Sequence, residues 1–526
     1  MTEKRHKSNR HIIKRIIVRG TLVLKTPTCL GNGDADSPTD LPLLRDSISN
    51  HALLTGSSIA GALRNYLRER NKGYNISDRR HEIVAQLFGD LMAYEHEKHL
   101  TEAEKIERRS QDTQSPLMID DALSKAPIQA ELRDGVKINS VTRTAEAKKK
   151  YDLELLQAGT TFPLCLELLI VREDQEITLV KALAIETLIQ ESHSFPTLLF
   201  KWLAQQGENE IKLIKSLALA LQGLAKGEIH LGMKKRRGFG RCNVKAWQVW
   251  EFDLTQDEKR LEWLLFEHWC TELSPEHETY SSIATAFGVS LDEEEDRRDR
   301  FFLEAKFTLA SPLLIRSGQD STGCAPDVVH LRSHRDGELK PVLSGTSLAG
   351  VLRHRAERIV NTLDKSKKIV NDVFGFVEEN SKQAQASRLV VHESVIENTD
   401  DLVQNRIAID RFTGGAYHGA LFSEQPIFGT DETHLTLELE LRQPRKAEIG
   451  LLLLLLKDLW TSDLPVGGES SIGRGRLQGI QAKMRRQIPG KATQTWTISQ
   501  DGEHLQVSDA NTLEAFVNDF FEEVIE

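Results

Sequence analysis

Leu54-Thr55-Gly56-Ser57-Ser58-Ile59-Ala60-Gly61-Ala62-Leu63-Arg64 returns 289 positions later as Leu343-Ser344-Gly345-Thr346-Ser347-Leu348-Ala349-Gly350-Val351-Leu352-Arg353. In both stretches hydroxyl residues and a glycine stand directly before small and apolar residues at helical spacing, the pattern of a capped helix start. The free N–H groups and positive dipole end of such a start favour phosphate. A second pair follows. His230-Leu231-Gly232-Met233-Lys234-Lys235-Arg236-Arg237-Gly238-Phe239-Gly240-Arg241 aligns without gaps, 235 positions on, with Pro465-Val466-Gly467-Gly468-Glu469-Ser470-Ser471-Ile472-Gly473-Arg474-Gly475-Arg476. Leu217, Leu219, Leu221 and Leu224 match Leu452, Leu454, Leu456 and Leu459 at the same offset. Two signatures recurring in one order predict a duplicated domain, each copy containing an apolar helix, a glycine-rich loop and a strand.

Working outward, the first copy opens on a strand pattern over residues 12–25 that stops at Pro27, and the second on one over residues 301–309 that stops at Pro312. Each continues with a polar loop, the hydroxyl-capped helix, a Phe-Gly pair and a short strand at Leu117–Ile119 or Leu389–Val391. Residues 136–144 resemble 404–412, with Arg143 opposite Arg411, and polar segments follow each before strand character resumes at 162–171 and 435–441. Polar segments between strands suit projecting hairpins. The order strand, helix, strand, hairpin, strand, helix, glycine loop, strand predicts α+β architecture of βαββαβ type rather than a parallel doubly wound sheet. The expected division is 1–250 for the first domain, 251–299 for a linker, 300–485 for the second domain and 486–526 for a tail.

Composition narrows the function classes. A length of 526 residues with 39% hydrophobic content supports more than one core. The net charge of -10 exerts no global pull on nucleic acid, so such binding must come from local basic stretches: Lys4 to Arg19, Lys148 to Lys150, and Lys234 to Arg241. Five scattered cysteines, none in a C-x-x-C pair, indicate neither a zinc ribbon nor a disulfide framework. His96 and His99 have ligand spacing within an exposed-looking charged context, which reads as surface. The most apolar segment, 450–460, is too short to span a bilayer, so a soluble, cytoplasmic protein is expected.

Glycine in the two loops removes Cβ atoms that would hold a polyanion away from backbone amides. Arg237, Arg241, Arg474 and Arg476 add guanidinium forks, and Lys234 and Lys235 add charge in the first copy. Gly238, Gly240, Gly473 and Gly475 with the helix starts Gly56-Ser57-Ser58 and Gly345-Thr346-Ser347 therefore form two candidate phosphate cradles, flanked by Arg64, Arg143, Arg353 and Arg411. Tandem cradles favour an extended phosphate backbone over a mononucleotide, and neither is a Walker motif. Asp34, Asp36 and Asp40 in one polar loop, and Asp320 and Asp327 in the other, oppose such a surface unless they hold a divalent metal or move a proton. Asx turns are the alternative, and the residues alone leave both open.

These paired helix starts, glycine-arginine loops and aspartate loops resemble the RAMP superfamily of CRISPR-Cas proteins, in particular backbone subunits of type III effector complexes. The similarity covers about residues 12–250 and 300–485. Asp40-Leu41-Pro42-Leu43-Leu44-Arg45-Asp46 and Asp327-Val328-Val329-His330-Leu331-Arg332 resemble the family segment whose leading aspartate is essential for cleaving target RNA. The resemblance implies tandem ferredoxin-like (RRM-like) domains gripping guide RNA (crRNA), and thumb hairpins around Lys148–Asp152 and Gly414–Gly419. It also implies catalytic and metal-ligating roles for Asp40 and Asp327, with Asp36 a further catalytic candidate, and a divalent metal, Mg2+, as cofactor. Implied partners are target RNA, neighbouring backbone subunits and a large polymerase-like subunit, acting in antiviral defence without a membrane. Neither copy carries the aromatic stacking motif of ordinary RNA-recognition domains. Two other readings are a guide-binding structural subunit that cuts nothing, and a guide-processing endonuclease using His230, whose counterpart in the second copy is Pro465.

Overall fold

The computed structural model describes residues 10–33, 40–80, 82–90, 100–109, 113–139, 142, 144–173, 195–292, 294–317, 326–378, 383–502 and 504–523. Asp34, Asp36, His96, His99, Arg143, Asp320, Cys324 and the basic residues before Arg10 lie outside them.

The first copy consists of β1 (Arg10–Leu24), α1 (Gly56–Lys72), β2 (Leu117–Ile119), β3 (Thr161–Glu173), α2 (Phe195–Ala225) and β4 (Cys242–Asp253). Its strands lie in the order β2-β3-β1-β4, every neighbour antiparallel. The second copy repeats the arrangement with β5 (Arg300–Leu309), α3 (Gly345–Thr362), β6 (Leu389–Val391), β7 (Ile427–Arg442), α4 (Lys446–Trp460) and β8 (Leu477–Gln487). Its order is β6-β7-β5-β8. Identical element order and strand order make these two tandem ferredoxin-like units, the α+β class expected from the sequence.

Periodicity explains the layers. Ile16, Val18, Leu22 and Leu24 of β1 are buried in one cluster with Ile59, Leu63, Tyr66 and Leu67 of α1, an i, i+4, i+7, i+8 stripe. In the second copy Phe301, Leu303, Ala305 and Phe307 meet Leu348, Leu352, Ala356 and Val360. α4 is buried on nearly every side. Its outer face is covered by α5 (Ala510–Glu522), whose Phe516 backbone approaches so closely that only a glycine fits at Gly450. β9 (Gln494–Asp501) and β10 (His504–Val507) extend the second sheet beyond β8, so residues past 487 complete this core. Among the described residues no helix is long and apolar enough to cross a membrane.

The segment between the copies folds back over the face of β1 opposite the helices. Arg19 lies 4.9 Å from the Trp250 ring and 4.8 Å from Phe266 and donates to the Glu267 carbonyl at 2.7 Å, while Arg15 lies 4.4 Å over Trp263. Cation–π contact and burial of the apolar stems take this sheet face out of solvent. Two hairpins leave the sheets: Ala130–Ile138 with Ala145–Leu156, and Gln404–Ile409 with Ala416–Gln425. Lys148–Asp152 falls in the return strand of the first hairpin, and Gly414–Gly419 spans the turn of the second into its return strand.

Candidate nucleic-acid interface and aspartate sites

Asp40 and Asp327 occupy matching places. Leu41 bridges Leu153 in parallel, and Asp40 Oδ2 accepts the N–H of Asp152 at 2.9 Å. Val328 and Val329 pair in parallel with Glu424 and Gln425, and Asp327 Oδ2 accepts the N–H of Ser423 at 2.8 Å. Each aspartate thus stands directly before a segment that docks on the return strand of its own hairpin, and each is exposed. A backbone N–H holds one carboxylate oxygen in place without neutralising the charge.

The surroundings differ. In the first hairpin Asp152 lies opposite Asp134. Burial and the Asp134 carboxyl push the Asp152 carboxyl above its ordinary range, and the Asp40 charge adds to the push. Lys150 pairs with Asp134 at 2.6 Å. In the second hairpin the matching residues are neutral: Ser423 lies opposite Asn405, and its Oγ donates to Asp327 Oδ2 at 3.2 Å. Among the described residues no group of three or more His, Cys, Asp or Glu side chains could hold a metal. The described donors at Asp40 and Asp327 therefore do not by themselves make a cage for the divalent ion that the resemblance implies.

The glycine loops share their backbone residue for residue. Lys234 and Glu469 are left-handed, each starts a short 3-10 turn, and Gly238 (φ 90°) and Gly473 (φ 88°) end them. At Gly240 and Gly475 any Cβ would strike the carbonyl of Leu231 or Val466, so only glycine lets the chain cross there. Their neighbours differ. Gly238 lies under the backbone of His392 and Glu393, and Gly345 lies under the Arg237 carbonyl: the first glycine loop is wedged against the second copy's helix start. Arg236 donates to the Ser387 carbonyl, Arg237 donates to Ser387 Oγ at 3.4 Å, and Arg241 pairs with Glu438 at 3.0 Å. Lys234 Nζ sits 3.7 Å over the Tyr151 ring, while Lys235 is exposed. In the second copy nothing comes within 4 Å of a Cβ on Gly473, and Arg476 is exposed.

Several residues expected to meet phosphate are committed to the fold instead. Thr55 and Ser344 cap α1 and α3 by accepting the N–H groups of Ser58 and Ser347 at 3.3 and 3.2 Å. The Gly56 N–H is donated to Asp121 Oδ1 at 2.7 Å, so a carboxylate already holds the amide that sequence reasoning offers to phosphate. Ser57 and Ser58 are exposed, whereas Thr346 and Ser347 are not fully so. Arg64 pairs with Asp78 at 2.8 Å and donates to the Gly89 carbonyl at 3.1 Å; Arg353 likewise donates to the Gly375 carbonyl at 2.7 Å and pairs with Glu357 at 3.1 Å. Both staple α1 or α3 to the turn after the following helix. Arg474 is 5% exposed, bound to Glu424 at 2.9 Å and to Glu469, and donates to Gln404 at 2.8 Å. Its donors are consumed because Glu469 replaces a lysine. Arg411 is exposed beside the turn of the second hairpin. Asp36 and Arg143 lie outside the described residues.

His230 is no free base: its ring meets His392 edge-on at 5.4 Å, across the boundary between the copies. Burial, with the neighbouring ring, holds its pKa down at about 3; burial and Arg241 hold His392 down at about 4. Sequence reasoning missed Glu131, Arg133, Arg335 and Glu393, which bind the first hairpin to the second copy. A signal existed, since Asp121 and Glu393 stand at the same offset past the aligned strands β2 and β6.

The family model for the RAMP superfamily matches residues 21–243 and 306–478. Each matched region falls on one ferredoxin-like copy and leaves out the greater part of that copy's first and last strands. Over 133 residues the chain is 26% identical to the CRISPR system Cms endoribonuclease Csm3 of Mycobacterium tuberculosis, an alignment covering 23% of this chain and 56% of that protein. The chain thus spans little more than half the length of that relative.

Proposed function

The chain belongs to the RAMP superfamily, and from that premise we propose that it is a backbone subunit of a type III CRISPR effector complex. In this reading it carries guide RNA and cleaves complementary target RNA at two places. One observation carries the reading: Asp40 and Asp327, from loops of unlike sequence, each stand exposed on the return strand of a projecting hairpin, held by one backbone N–H. A duplicated acid aimed from the same place in both copies is what two repeated cuts on one extended strand require.

In the proposed chemistry the free oxygen of each carboxylate accepts the proton of a target ribose 2'-hydroxyl. The 2'-oxygen attacks the adjacent phosphorus, the bond from phosphorus to the 5'-oxygen breaks, and that oxygen leaves with a proton from water. Each cut then yields a 2',3'-cyclic phosphate and a 5'-hydroxyl. The hairpins, standing beside the acids, splay the target backbone toward in-line geometry. Guide RNA runs over the exposed cations Lys235, Arg411 and Arg476, past the half-buried Arg241, and beside Ser57 and Ser58. Base pairing selects the target, while the protein reads backbone shape. A divalent ion such as Mg2+ would need ligands from the RNA in addition to Asp40 or Asp327, and would supply neutralisation of phosphate charge there. Neighbouring effector subunits stack in the manner of the internal boundary, glycine loop against helix start.

Mapping target cuts in complexes carrying Asp40→Ala or Asp327→Ala tests the reading. Each substitution is expected to remove one cut and spare the other; unchanged cutting in the double variant would reduce the chain to a structural guide-binding subunit.

A further inference from the structure

The base of the first hairpin is tied to the second copy by a closed network of buried charges. Arg133 binds both oxygens of Glu393 and one of Glu131, the latter at 3.2 Å. Glu131 also accepts from Ser333 Oγ at 3.1 Å and from the His334 N–H at 2.9 Å. Arg335 closes the ring, binding Glu393 and donating to Ser333 Oγ at 2.7 Å. The side chains of Arg133 and Glu393 are only 6% and 1% exposed. Two carboxylates and two guanidinium groups balance, but desolvating four charges is a poor way to gain stability when apolar side chains of similar volume would fill the space. What such a network does supply is direction: each fork accepts partners in one orientation.

That orientation is passed to the first aspartate by a short path. Arg133 lies directly opposite Leu153 in the hairpin ladder. Leu153 bridges Leu41, and the preceding Asp152 N–H holds Asp40. Among the described residues the second hairpin has no such tie to another domain. Gln404 and Leu402 stand where the first has Arg133 and Glu131, and Leu402 is 53% exposed.

We propose that Arg133 and Glu393 are positioning residues for the first cutting site: the second copy, through Glu393, sets where Asp40 meets the target and so the interval between the two cuts. The proposal rests on the nuclease reading above.

The test uses the full chain assembled with guide RNA and its partner subunits, a long complementary target, and single-nucleotide mapping of both products. Asp40→Ala and Asp327→Ala first identify which product belongs to which site. Arg133→Met is expected to lower the Asp40-dependent product at least tenfold or spread it over neighbouring positions, with the Asp327-dependent product within twofold of the parent. The double variant Arg133→Met/Glu393→Leu removes one charge of each sign, leaving Glu131 and Arg335 so that the cluster stays neutral, and is expected to unfold near the parent's temperature yet keep the scattered or weakened first cut. A double variant that regains both stability and a sharp first cut would overturn the positioning role and leave a purely structural tie. So would equal loss of both products. Failure of Asp40→Ala to remove any product would overturn the nuclease reading itself, and this inference with it.

Discussion

At the base of the first hairpin Glu131 and Arg133 reach into Glu393, Ser333 and His334 of the other copy. At the base of the second, Arg406 and Glu424 turn inward to Glu469 and Arg474 of their own glycine loop, at 3.0 and 2.9 Å. The two hairpins carry equivalent aspartates on equivalent strands, so the same outcome is reached through different partners. The glycine loops make the matching exchange. The first offers Lys234 to Tyr151 and spends Arg236 and Arg237 on the boundary, whereas the second places Glu469 where Lys234 stood and keeps Arg474 for itself. Duplication thus preserved backbone geometry at the glycines and caps, while side-chain charge diverged according to what each copy touches. Loop cations read alike in sequence serve cohesion between copies in one place and cohesion within a copy in the other.

The largest separation of the two sites is expected from Asp40→Asn and Asp327→Asn. The amide oxygen can still accept the N–H of Asp152 or Ser423, so the loop stays seated while the base is lost. Each substitution should lower its own cut by about 10²–10⁴-fold, read by product mapping, with the other cut unaffected. Loss of both cuts from either one would mean that the sites act as a unit. Next in size is the pair Gly238→Ala and Gly473→Ala. Both alanines must adopt a left-handed backbone, at about 1–2 kcal/mol. Only at Gly238 does the new Cβ also meet the Glu393 nitrogen, at 2.5 Å. Denaturant titration should therefore find Gly238→Ala roughly twice as destabilising as Gly473→Ala. Equal effects would mean that the boundary yields freely.

A smaller effect separates the internal boundary from the chain's own ends. His230 and His392 meet there, but their counterparts are Pro465 and Asp120, so the pair exists once. The folded rings titrate at about 3 and 4, below the ordinary value of 6.5. Between pH 6.5 and 4 the unfolded chain therefore binds protons that the folded chain does not, and acidification lowers stability. The expected loss is about 1 kcal/mol per ring from pH 7 to 5.5, measured by unfolding at each pH. His392→Phe should flatten that slope. An unchanged slope would place the titration at another buried ring such as His330, which is also held down at about 4.

Much of this architecture was legible because duplication doubles the signal. Hydroxyl-glycine helix starts and crossing glycines depend on local backbone, so Thr55 and Ser344, or Gly240 and Gly475, appear at fixed offsets and behave alike in the structure. The strands Leu117–Ile119 and Leu389–Val391 followed from short apolar runs, and the projecting hairpins from polar interruptions. Long-range pairing was not legible. Arg64 and Arg474 look like phosphate ligands until their partners Asp78 and Glu424 are seen, since nothing in a one-dimensional pattern marks which charge will be neutralised by a residue beyond the same helix, whereas the i, i+4 spacing of Arg353 and Glu357 was itself a signal. The tail was assigned no chemistry and supplies a core face, because α4 is apolar all round and something had to cover it.

The finest difference between the sites is charge beside the acid: Asp152 and Asp134 at the first, Ser423 and Asn405 at the second. Exchanging them tests whether that difference matters. Extra carboxylates next to a bound polyanion repel it, so Asp152→Ser should raise the first cut two- to fivefold and Ser423→Asp should lower the second by a similar factor. Because exposed charges act through water, both changes should shrink as salt rises from 50 to about 500 mM. The pushed-up carboxyl of Asp152 adds a pH signature: as pH falls it is neutralised before an ordinary aspartate, so the benefit of Asp152→Ser should fade on the acid side while that site still cuts. The opposite sign, with Asp152→Ser slowing the first cut and added Mg2+ restoring it, would assign the extra carboxylates to an ion shared with the RNA. The two aspartates would then work by different chemistry on the same scaffold.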